Sequence, residues 1–178
     1  MDIKSAQLEN RRCFVGGGPG VIVSGIVWLT ASLVLSQAGT FRGFAALFIG
    51  GMLITPIATA VERITFRRSA PSRENALVAL GLETAIALIA GLLAASLLLK
   101  SAPEWVFPVA AMAVGARYFS FSTIYGNKIY WALGGVIVAI GAASIWGRIA
   151  VPGGVALAVA ATELTFGLAL TIASLRKT

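Results

Sequence analysis

The chain has 178 residues, of which 58% are hydrophobic and 12% are charged, with a net charge of +7. In soluble domains, about a quarter of all residues are charged. The low charge content and the mean hydropathy of +0.89 therefore exclude an ordinary soluble domain and indicate an integral membrane protein. The chain has no histidine, one cysteine and one aspartate, and it therefore lacks the residues of Ser-His or paired-aspartate proteases and of common zinc or haem sites. We expect no enzyme, no cofactor and no metal site.

Six apolar segments divide the chain, and each approaches the roughly 20 residues that a helix needs to cross a hydrocarbon core of about 30 Å. Glycine, proline, asparagine or charged residues separate them. In chain order, we place spans at residues 19–36, 44–61, 76–99, 105–122, 129–146 and 154–175. All connections but one are short, so consecutive helices should be antiparallel neighbours. The sequence predicts an all-α polytopic membrane protein with a single bundle over residues 1–178.

The first span opens on three glycines, a proline and a fourth glycine. Proline suits a first helical turn, and the preceding glycines expose backbone N–H groups at the positive end of the helix dipole. With two arginines nearby, the segment predicts a contact for an anion or a lipid phosphate, and a close-packed helix start without a ligand is the alternative. The residues of this predicted contact are Arg11, Arg12, Gly16, Gly17 and Gly18.

The positive charges indicate the orientation, because cytoplasmic loops keep an excess of Lys and Arg. With the N-terminus inside, Arg42, Lys100 and Arg148 lie outside. The inner side then collects Lys4, Arg11, Arg12, Arg63, Arg67, Arg68, Arg73, Lys128, Arg176 and Lys177. Six spans place both termini in the cytoplasm of the cell. The net charge follows from this topology and from contact with anionic lipids, so we expect membrane lipids as partners and no nucleic acid.

Three ionisable residues lie inside the predicted spans, namely Glu83, Arg117 and Glu163. A charged side chain at the centre of a membrane helix costs roughly 2.5 to 3.5 kcal/mol on insertion scales, so such residues usually face a partner or a water-filled pathway. At about 1.5 Å per residue, Glu83 and Arg117 lie at similar depths and Glu163 lies near the midplane. The guanidinium could therefore pair with either glutamate.

The spacing of small residues predicts that both glutamates face inward. In the third and sixth spans, a glutamate heads a row of small residues that repeats every four positions, and such rows let another backbone approach closely. The rows are Glu83, Ala87, Gly91 and Ala95, and Glu163, Gly167 and Thr171.

Two interpretations of these charges remain open. In the first, Arg117 and Glu83 form a structural salt bridge that fixes the register of two helices. In the second, two acids share one base, and the spare carboxylate, for which Glu163 is the candidate, takes up and releases protons.

The end of the fourth span is unusually polar and aromatic. Tyr118 and Ser120 could line a vestibule with Arg117 that leads to the acids. In the alternative interpretation, the aromatic residues Tyr118, Tyr125, Tyr130 and Trp131 form the belt at the membrane interface.

Two short matches suggest an inverted repeat of three plus three spans. Ile49-Gly50-Gly51 in the second span resembles Leu133-Gly134-Gly135 in the fifth, and the third and sixth spans each contain a glutamate. Inverted repeats build many transporters, although such matches also arise by chance in Gly- and Ala-rich helices. A small-residue face on the fifth span, formed by Gly135, Ala139 and Ala143, favours a homo-oligomer.

The stretches GGGPGVIVSGIVW, GGMLITP and ARYFSFSTIYGN resemble an uncharacterised family of small six-span bacterial membrane proteins, and the similarity covers most of the chain. The resemblance implies a six-helix integral membrane fold in a bacterial inner membrane. It implies no activity, substrate or site residues.

From these patterns we expect a small transporter or channel-like protein for an ion or small solute. Transport would be linked to protons through Glu163 and Glu83, with Arg117 as counter-charge or anion contact. The alternative is a membrane protein that binds lipid or a partner protein, in which the three charges are purely structural.

Overall fold

The structure is a computed structural model, which describes residues 1–147, 151 and 153–176. Arg148 and Lys177, two of the residues that we assigned to the outer and inner sides, lie outside the described residues. The prediction of an all-α fold is confirmed. Within the described ranges, the helices are α1 (Ile3–Cys13), α2 (Gly18–Ile64), α3 (Ala76–Ser96), α4 (Val106–Tyr125), α5 (Ile129–Ile145) and α6 (Gly154–Leu175). Short 3₁₀ turns lie at Val15–Gly17, Leu97–Leu99 and Pro103–Trp105.

Helix α2 consists of two helices joined at Gly39, whose backbone leaves helical geometry with φ 84° and ψ 172°. Only glycine adopts that region readily. The chain reverses direction at this glycine, as close contacts between the two halves show. A Cβ added to Gly43 would lie 2.8 Å from Leu35 Cβ, and one added to Gly50 would lie 2.7 Å from Val27 Cγ1. Residues 18–38 and 40–64 therefore pack as an antiparallel hairpin, and they correspond to the first two apolar segments of the sequence.

Glycines bring two further helix pairs into close contact. Between α4 and α5, a Cβ added to Gly115 would lie 2.9 Å from the Gly134 carbonyl oxygen. Between the first half of α2 and α6, a Cβ added to Gly25 would lie 3.0 Å from the Leu164 nitrogen. The backbones can approach this closely because no side chain stands between them.

Helix α1 is a polar helix that the sequence analysis missed. The Asp2 carboxylate caps its start by accepting hydrogen bonds from the N–H groups of Lys4 and Ser5. Further along α1, the Asn10 side chain donates to the Ile124 carbonyl at 3.3 Å, at the end of α4. These contacts hold α1 across one end of the bundle.

Asn75 attaches α1 from the other side. Its Oδ1 caps α3 by accepting from the Leu77 N–H at 3.1 Å. Its Nδ2 lies at hydrogen-bonding distance from three oxygens of α1, which are Ala6 O at 3.1 Å, Glu9 Oε2 at 2.7 Å and Asn10 Oδ1 at 3.0 Å. Asn75 and Asn10 are 3% and 0% exposed, so this buried polar group, which we call the Asn75 tether, is well satisfied.

Glu9 adds a second attachment between α1 and the loop after α2. Its carboxylate accepts from the Ser72 N–H at 3.0 Å. The hydrogen bonds from the Ser72 backbone and the Asn75 side chain stabilise the charged form, and they lower the pKa of Glu9 below its ordinary value.

Four segments meet at the end of the bundle that α1 covers. They are held together by the contacts of α1 with Ile124 and Ser72 and by the approach of Gly16 to Ser174. We call this region the basic end and define it as residues 1–17, 63–75, 126–128 and Arg176. It contains the described residues that we assigned to the inner side. Arg42 lies just after the bend at Gly39, and Lys100 follows the 3₁₀ turn at the end of α3.

The outer surface of the bundle is apolar. Ile26, Leu33, Ile49, Leu82 and Ile86 are all at least half exposed. Three helical segments are long and apolar enough to cross a membrane, namely Val15–Ile64, Ala76–Leu99 and Gly154–Leu175. These features indicate a membrane protein.

Candidate functional site

Glu163 is the only glutamate of the predicted trio that lies inside the bundle. It is 0% exposed, and the row that it forms with Gly167 and Thr171 is buried along its whole length. This row packs on the first half of α2, where a Cβ added to Gly167 would lie 2.9 Å from the Ile22 nitrogen. The small residues that bring the two backbones together thus also enclose the carboxyl group.

Only one of the two carboxyl oxygens of Glu163 has a hydrogen-bond partner among the described residues. The Tyr118 hydroxyl, on α4, donates a hydrogen bond to Oε1 at 2.8 Å. The buried Oε2 atom has no hydrogen-bond partner, although the Ser24 side chain of α2 lies close to both Glu163 and Tyr118. A buried polar atom without a partner is uncommon and calls for a structural or functional explanation.

Arg117 lies near Glu163 without contacting it. The two charges interact through space, but no ion pair involves Arg117 in the described part of the chain, and its buried Nε has no hydrogen-bond partner. Its guanidinium lies over the Phe121 ring, 5.1 Å from the centroid, at a distance typical of a cation–π interaction. A direct salt bridge with Glu83 or Glu163, which the sequence analysis considered, is therefore not formed.

A crevice of about 340 Å³ opens between α3 and α4 beside Arg117. Ser120 lines it together with Arg117, and Thr84 and Ala87 do so from α3. Arg117 joins this crevice to the buried carboxyl group through a chain of contacts. Its guanidinium touches Phe121, whose ring meets Tyr118 edge-on at 5.4 Å.

Glu83 does not join this group, contrary to the expected inward orientation. It is exposed on the outer surface of α3, one residue from Thr84 of the crevice. The row that it heads packs against α4 only at the other end, where Ala95 is buried and a Cβ added to Gly91 would lie 2.8 Å from Ala113 Cβ. The two glutamates that an inverted repeat would relate therefore have different surroundings, and the repeat stays a prediction.

The tyrosines assigned to an interfacial belt are instead buried. Tyr118, Tyr125 and Tyr130 are at most 9% exposed, whereas Trp131 is 59% exposed. The three tyrosines and Phe121 form one aromatic cluster, with Tyr125 and Tyr130 stacked at 5.4 Å. Residues 118, 121 and 125 share one face of α4 because they follow a helical spacing of three and four.

Gly16 and Gly17, just before the start of α2, contact the aromatic cluster, whereas Gly18 packs against Thr171 of α6. Gly16 and Gly17 adopt left-handed conformations, with φ of 65° and 81°, and the Tyr130 hydroxyl donates to the Gly16 carbonyl at 2.7 Å. The N–H groups of Gly17 and Gly18 donate to the carbonyls of Phe14 and Val15. Those two N–H groups are thus used within the chain, and the expected backbone cradle for an anion does not form from them.

The sequence analysis missed several residues near the site and connected Tyr130 only with an interfacial belt. Ser24, Phe121 and Tyr130 all contact the Tyr118–Glu163 pair directly or through one ring. Glu62 is a second buried carboxylate, 5% exposed, and its charge acts on Tyr125 and Tyr130. Among the described residues, no three side chains of His, Cys, Asp or Glu lie together as a metal site would require.

The fold and the site together define an all-α protein with helices of membrane-spanning length around one fully buried carboxyl group. A match to the family of unknown function DUF7010 covers residues 3–173. The chain therefore belongs to that family, and the family description assigns no activity to it. No curated protein and no solved structure matches the chain.

Proposed function

We propose that this protein crosses the membrane six times and transports a small ion or solute, with Glu163 as its proton- or cation-binding group. The observation that carries the proposal is the enclosed carboxyl of Glu163, which has one hydrogen-bonded and one unpartnered oxygen. Ionisable groups inside membrane helices commonly mark ion pathways or proton relays.

Helix lengths support six spans. The two halves of α2, at residues 18–38 and 40–64, each reach about 20 residues, as do α3, α4 and α6. Helix α5 has 17 residues, at the lower limit of about 17 for a spanning helix. The basic end then faces the cytoplasm by the positive-inside rule, with both termini on that side.

The depth of Glu163 supports a role in transport. It lies nine positions after Gly154, the first residue of α6, which is about 14 Å at 1.5 Å per residue. That distance is close to half of the hydrocarbon thickness of about 30 Å. Substrate sites of many secondary transporters lie at this level.

The two protonation states of Glu163 have different requirements in this environment. A protonated carboxyl needs an acceptor for its O–H, and an ionised carboxyl leaves a charge whose Oε2 has no donor among the described residues. Neither state is fully satisfied in this geometry, so one of them calls for a bound cation or a local movement, such as a turn of the nearby Ser24 hydroxyl towards Oε2. This requirement links protonation to a second event, which is the basis of coupled transport.

Arg117 is proposed as the charge at the mouth of the pathway. It lines the crevice with Ser120, and its field reaches Glu163. A guanidinium in this position would attract an anion or set the charge balance when Glu163 exchanges its proton. Glu83 has no part in the proposed pathway, because it lies on the outer surface.

The experiment is a recording of solid-supported-membrane currents from purified protein in liposomes, with pH jumps and a panel of small ions and metabolites. We expect currents from the wild type and none from Glu163→Gln, because glutamine keeps the shape but cannot exchange a proton. Glu83→Gln is the matched control, since it removes an exposed carboxylate, and it should keep the current. Silence of folded wild type across the panel would contradict transport, and equal currents in the Glu163 variant would contradict the role of this residue.

A further inference from the structure

We infer that the crevice beside Arg117 binds a small monocarboxylate with an apolar body. The crevice has a volume of about 340 Å³, within the roughly 300 to 1,000 Å³ common for ligand pockets. Binding in this crevice does not require transport. Only the further step, in which the bound carboxylate is the transported solute, rests on the proposed function.

The guanidinium of Arg117 offers unused hydrogen-bond donors to a ligand. It makes no hydrogen bond within the described residues, and its Nε is enclosed without a partner. Its contact with Phe121, 5.1 Å from the ring centroid, uses the face of the planar group and leaves the N–H groups at its edge free. An arginine binds both oxygens of a carboxylate through two parallel N–H bonds. The donors of Arg117 therefore fit a carboxylate in the crevice.

No carboxylate of the described lining competes for these donors, since it contains neither Asp nor Glu. Glu163 acts on Arg117 only through space, and its Oε1 accepts from Tyr118. Glu83 precedes Thr84 of the lining, but it is exposed on the outer surface and does not line the crevice. The N–H groups of Arg117 therefore stay available whether Glu163 is charged or neutral.

The walls of the crevice suit an apolar body and one further polar contact. Ala87 and Gly91 line it from α3, and Ala113 and Ala116 line it from α4. These residues are small, so space remains between the two helices. Ser120 adds a hydroxyl group that makes no hydrogen bond within the described part of the chain. A ligand with one charged end and a short hydrocarbon chain fits this lining.

A single guanidinium favours a ligand with a single negative charge. A second charge on the ligand would be left unpaired in apolar surroundings, which is costly. In the proposed topology, Arg117 lies eight positions before Tyr125, the last residue of α4, which is about 12 Å at 1.5 Å per residue. This depth lies within the hydrocarbon core of about 30 Å, below the level of lipid phosphates. A monocarboxylate is therefore favoured over a dicarboxylate, free phosphate or a phospholipid headgroup.

Binding of radiolabelled hexanoate to the purified full-length protein in neutral detergent, measured by scintillation proximity, tests this inference. Hexanamide is the neutral competitor of the same length, and adipate is the competitor with two charges. We expect Arg117→Gln to weaken hexanoate binding by about tenfold or more, because a charge-assisted pair is lost. Arg42→Gln removes an exposed arginine that does not line the crevice, and it should keep the binding.

Ala87→Leu tests the space of the crevice while Arg117 is kept. Ala87 is exposed and lines the crevice, so a larger side chain fills the space without entering the core. Ala90→Leu is the matched control, because Ala90 is exposed on the same helix and does not line the crevice. We expect hexanoate binding to be lost in Ala87→Leu and kept in Ala90→Leu. This pair keeps the test valid if Arg117→Gln does not fold.

The outcomes separate the binding site from transport. Absence of hexanoate binding in folded wild type, or equal binding in wild type and Ala87→Leu, would overturn the inference. Equal competition by hexanamide or by adipate would overturn the recognition of a single charge. Hexanoate bound at the crevice without a hexanoate current would support the binding site and contradict its role in transport. A hexanoate current that persists in Ala87→Leu would support transport and overturn this crevice as its binding site.

Discussion

The Tyr118 hydroxyl reaches across from α4 to Oε1 of Glu163 on α6, at 2.8 Å. This hydrogen bond joins two helices that otherwise meet through few close contacts, and it fixes one face of the buried carboxyl group. The opposite oxygen stays without a partner. The Tyr118–Glu163 pair therefore contains a hydrogen bond that links two helices and a carboxyl oxygen without a partner. Substitutions at the two residues can test these two features separately.

Tyr118→Phe removes the hydroxyl group that donates to Glu163 and leaves the aromatic ring in place. Leaving a buried acceptor unpaired costs about 1 to 3 kcal/mol, so we expect the free energy of unfolding to fall by that amount in a denaturing-detergent titration. Tyr125→Phe is the matched control, because this tyrosine belongs to the same aromatic cluster and its hydroxyl makes no hydrogen bond in the described part of the chain. Equal losses in the two variants would show that packing, rather than the hydrogen bond, dominates.

Gly17→Ala places a methyl group in a left-handed conformation, which costs about 1 to 3 kcal/mol. The added Cβ would also overlap the Tyr130 hydroxyl and lie 2.8 Å from Tyr125 Cε2. We expect a marked loss of thermal stability in detergent. Gly51→Ala, at a helical glycine with open space around it, should be neutral or slightly stabilising, since alanine favours a helix. A stable Gly17→Ala protein would contradict the close packing of the cluster.

Asn75→Ala should release α1 and weaken the start of α3 together. The lost cap contributes about 1 kcal/mol, and each lost hydrogen bond contributes about 1 kcal/mol more. Asn75→Ser keeps a capping oxygen and loses only the tether to α1. We expect hydrogen exchange to speed up over residues 3–13 in both variants, but over the first turn of α3 only in the alanine variant. Unchanged protection of α1 in both would refute the tether.

The attachment of α1 should weaken in acid. The pKa of Glu9 is lowered in the folded protein by hydrogen bonds from Ser72 and Asn75, so its contribution is present above the ordinary pKa and is lost as the pH falls through the lowered value. Hydrogen exchange of α1 at a series of pH values, corrected for intrinsic rates, should show this loss. Glu9→Gln should remove that part of the pH dependence, and an identical profile in the variant would assign it elsewhere.

The proposed six spans, with the basic end inside, predict which positions can be labelled from outside. In a Cys13→Ser background, a membrane-impermeant maleimide should label Arg42→Cys in intact cells and should label Arg73→Cys only after lysis. The side chains of Arg42 and Arg73 are both exposed, so neither position is shielded from the reagent by the rest of the protein. Labelling of Arg73→Cys in intact cells would invert or break the proposed topology.

The helical segments could be predicted from the sequence because Gly39, Pro103 and Gly153 interrupt long apolar runs near the observed helix ends. The inward face of Glu163 was also predictable, since Gly167 and Thr171 continue the same row. The row of Glu83 has the same spacing, yet only its Gly91 and Ala95 end packs closely, and Glu83 and Ala87 are exposed. Spacing within a helix identifies a face, but it does not tell how far along that face the neighbour extends.

Helix α1 was missed for a different reason. Its residues are polar, and burial of Asn10 depends on Ile124 and Asn75, which are distant in sequence. A local signal was present, since Asp2 caps the first turn through Ser5. The tyrosines were misassigned because a belt and a buried cluster use the same residue types, and only tertiary contacts distinguish them.

In the proposed topology, Gly39 decides on which side of the membrane the rest of the chain is placed. A straight helix of 47 residues would be about 70 Å long at 1.5 Å per residue, more than twice the hydrocarbon thickness of about 30 Å. The bend divides it into two crossings, so only the short tip near Gln37 and Arg42 passes through the bilayer during synthesis. A substitution that straightened the helix at Gly39 would remove one crossing, and every later segment would then be inserted in the opposite orientation.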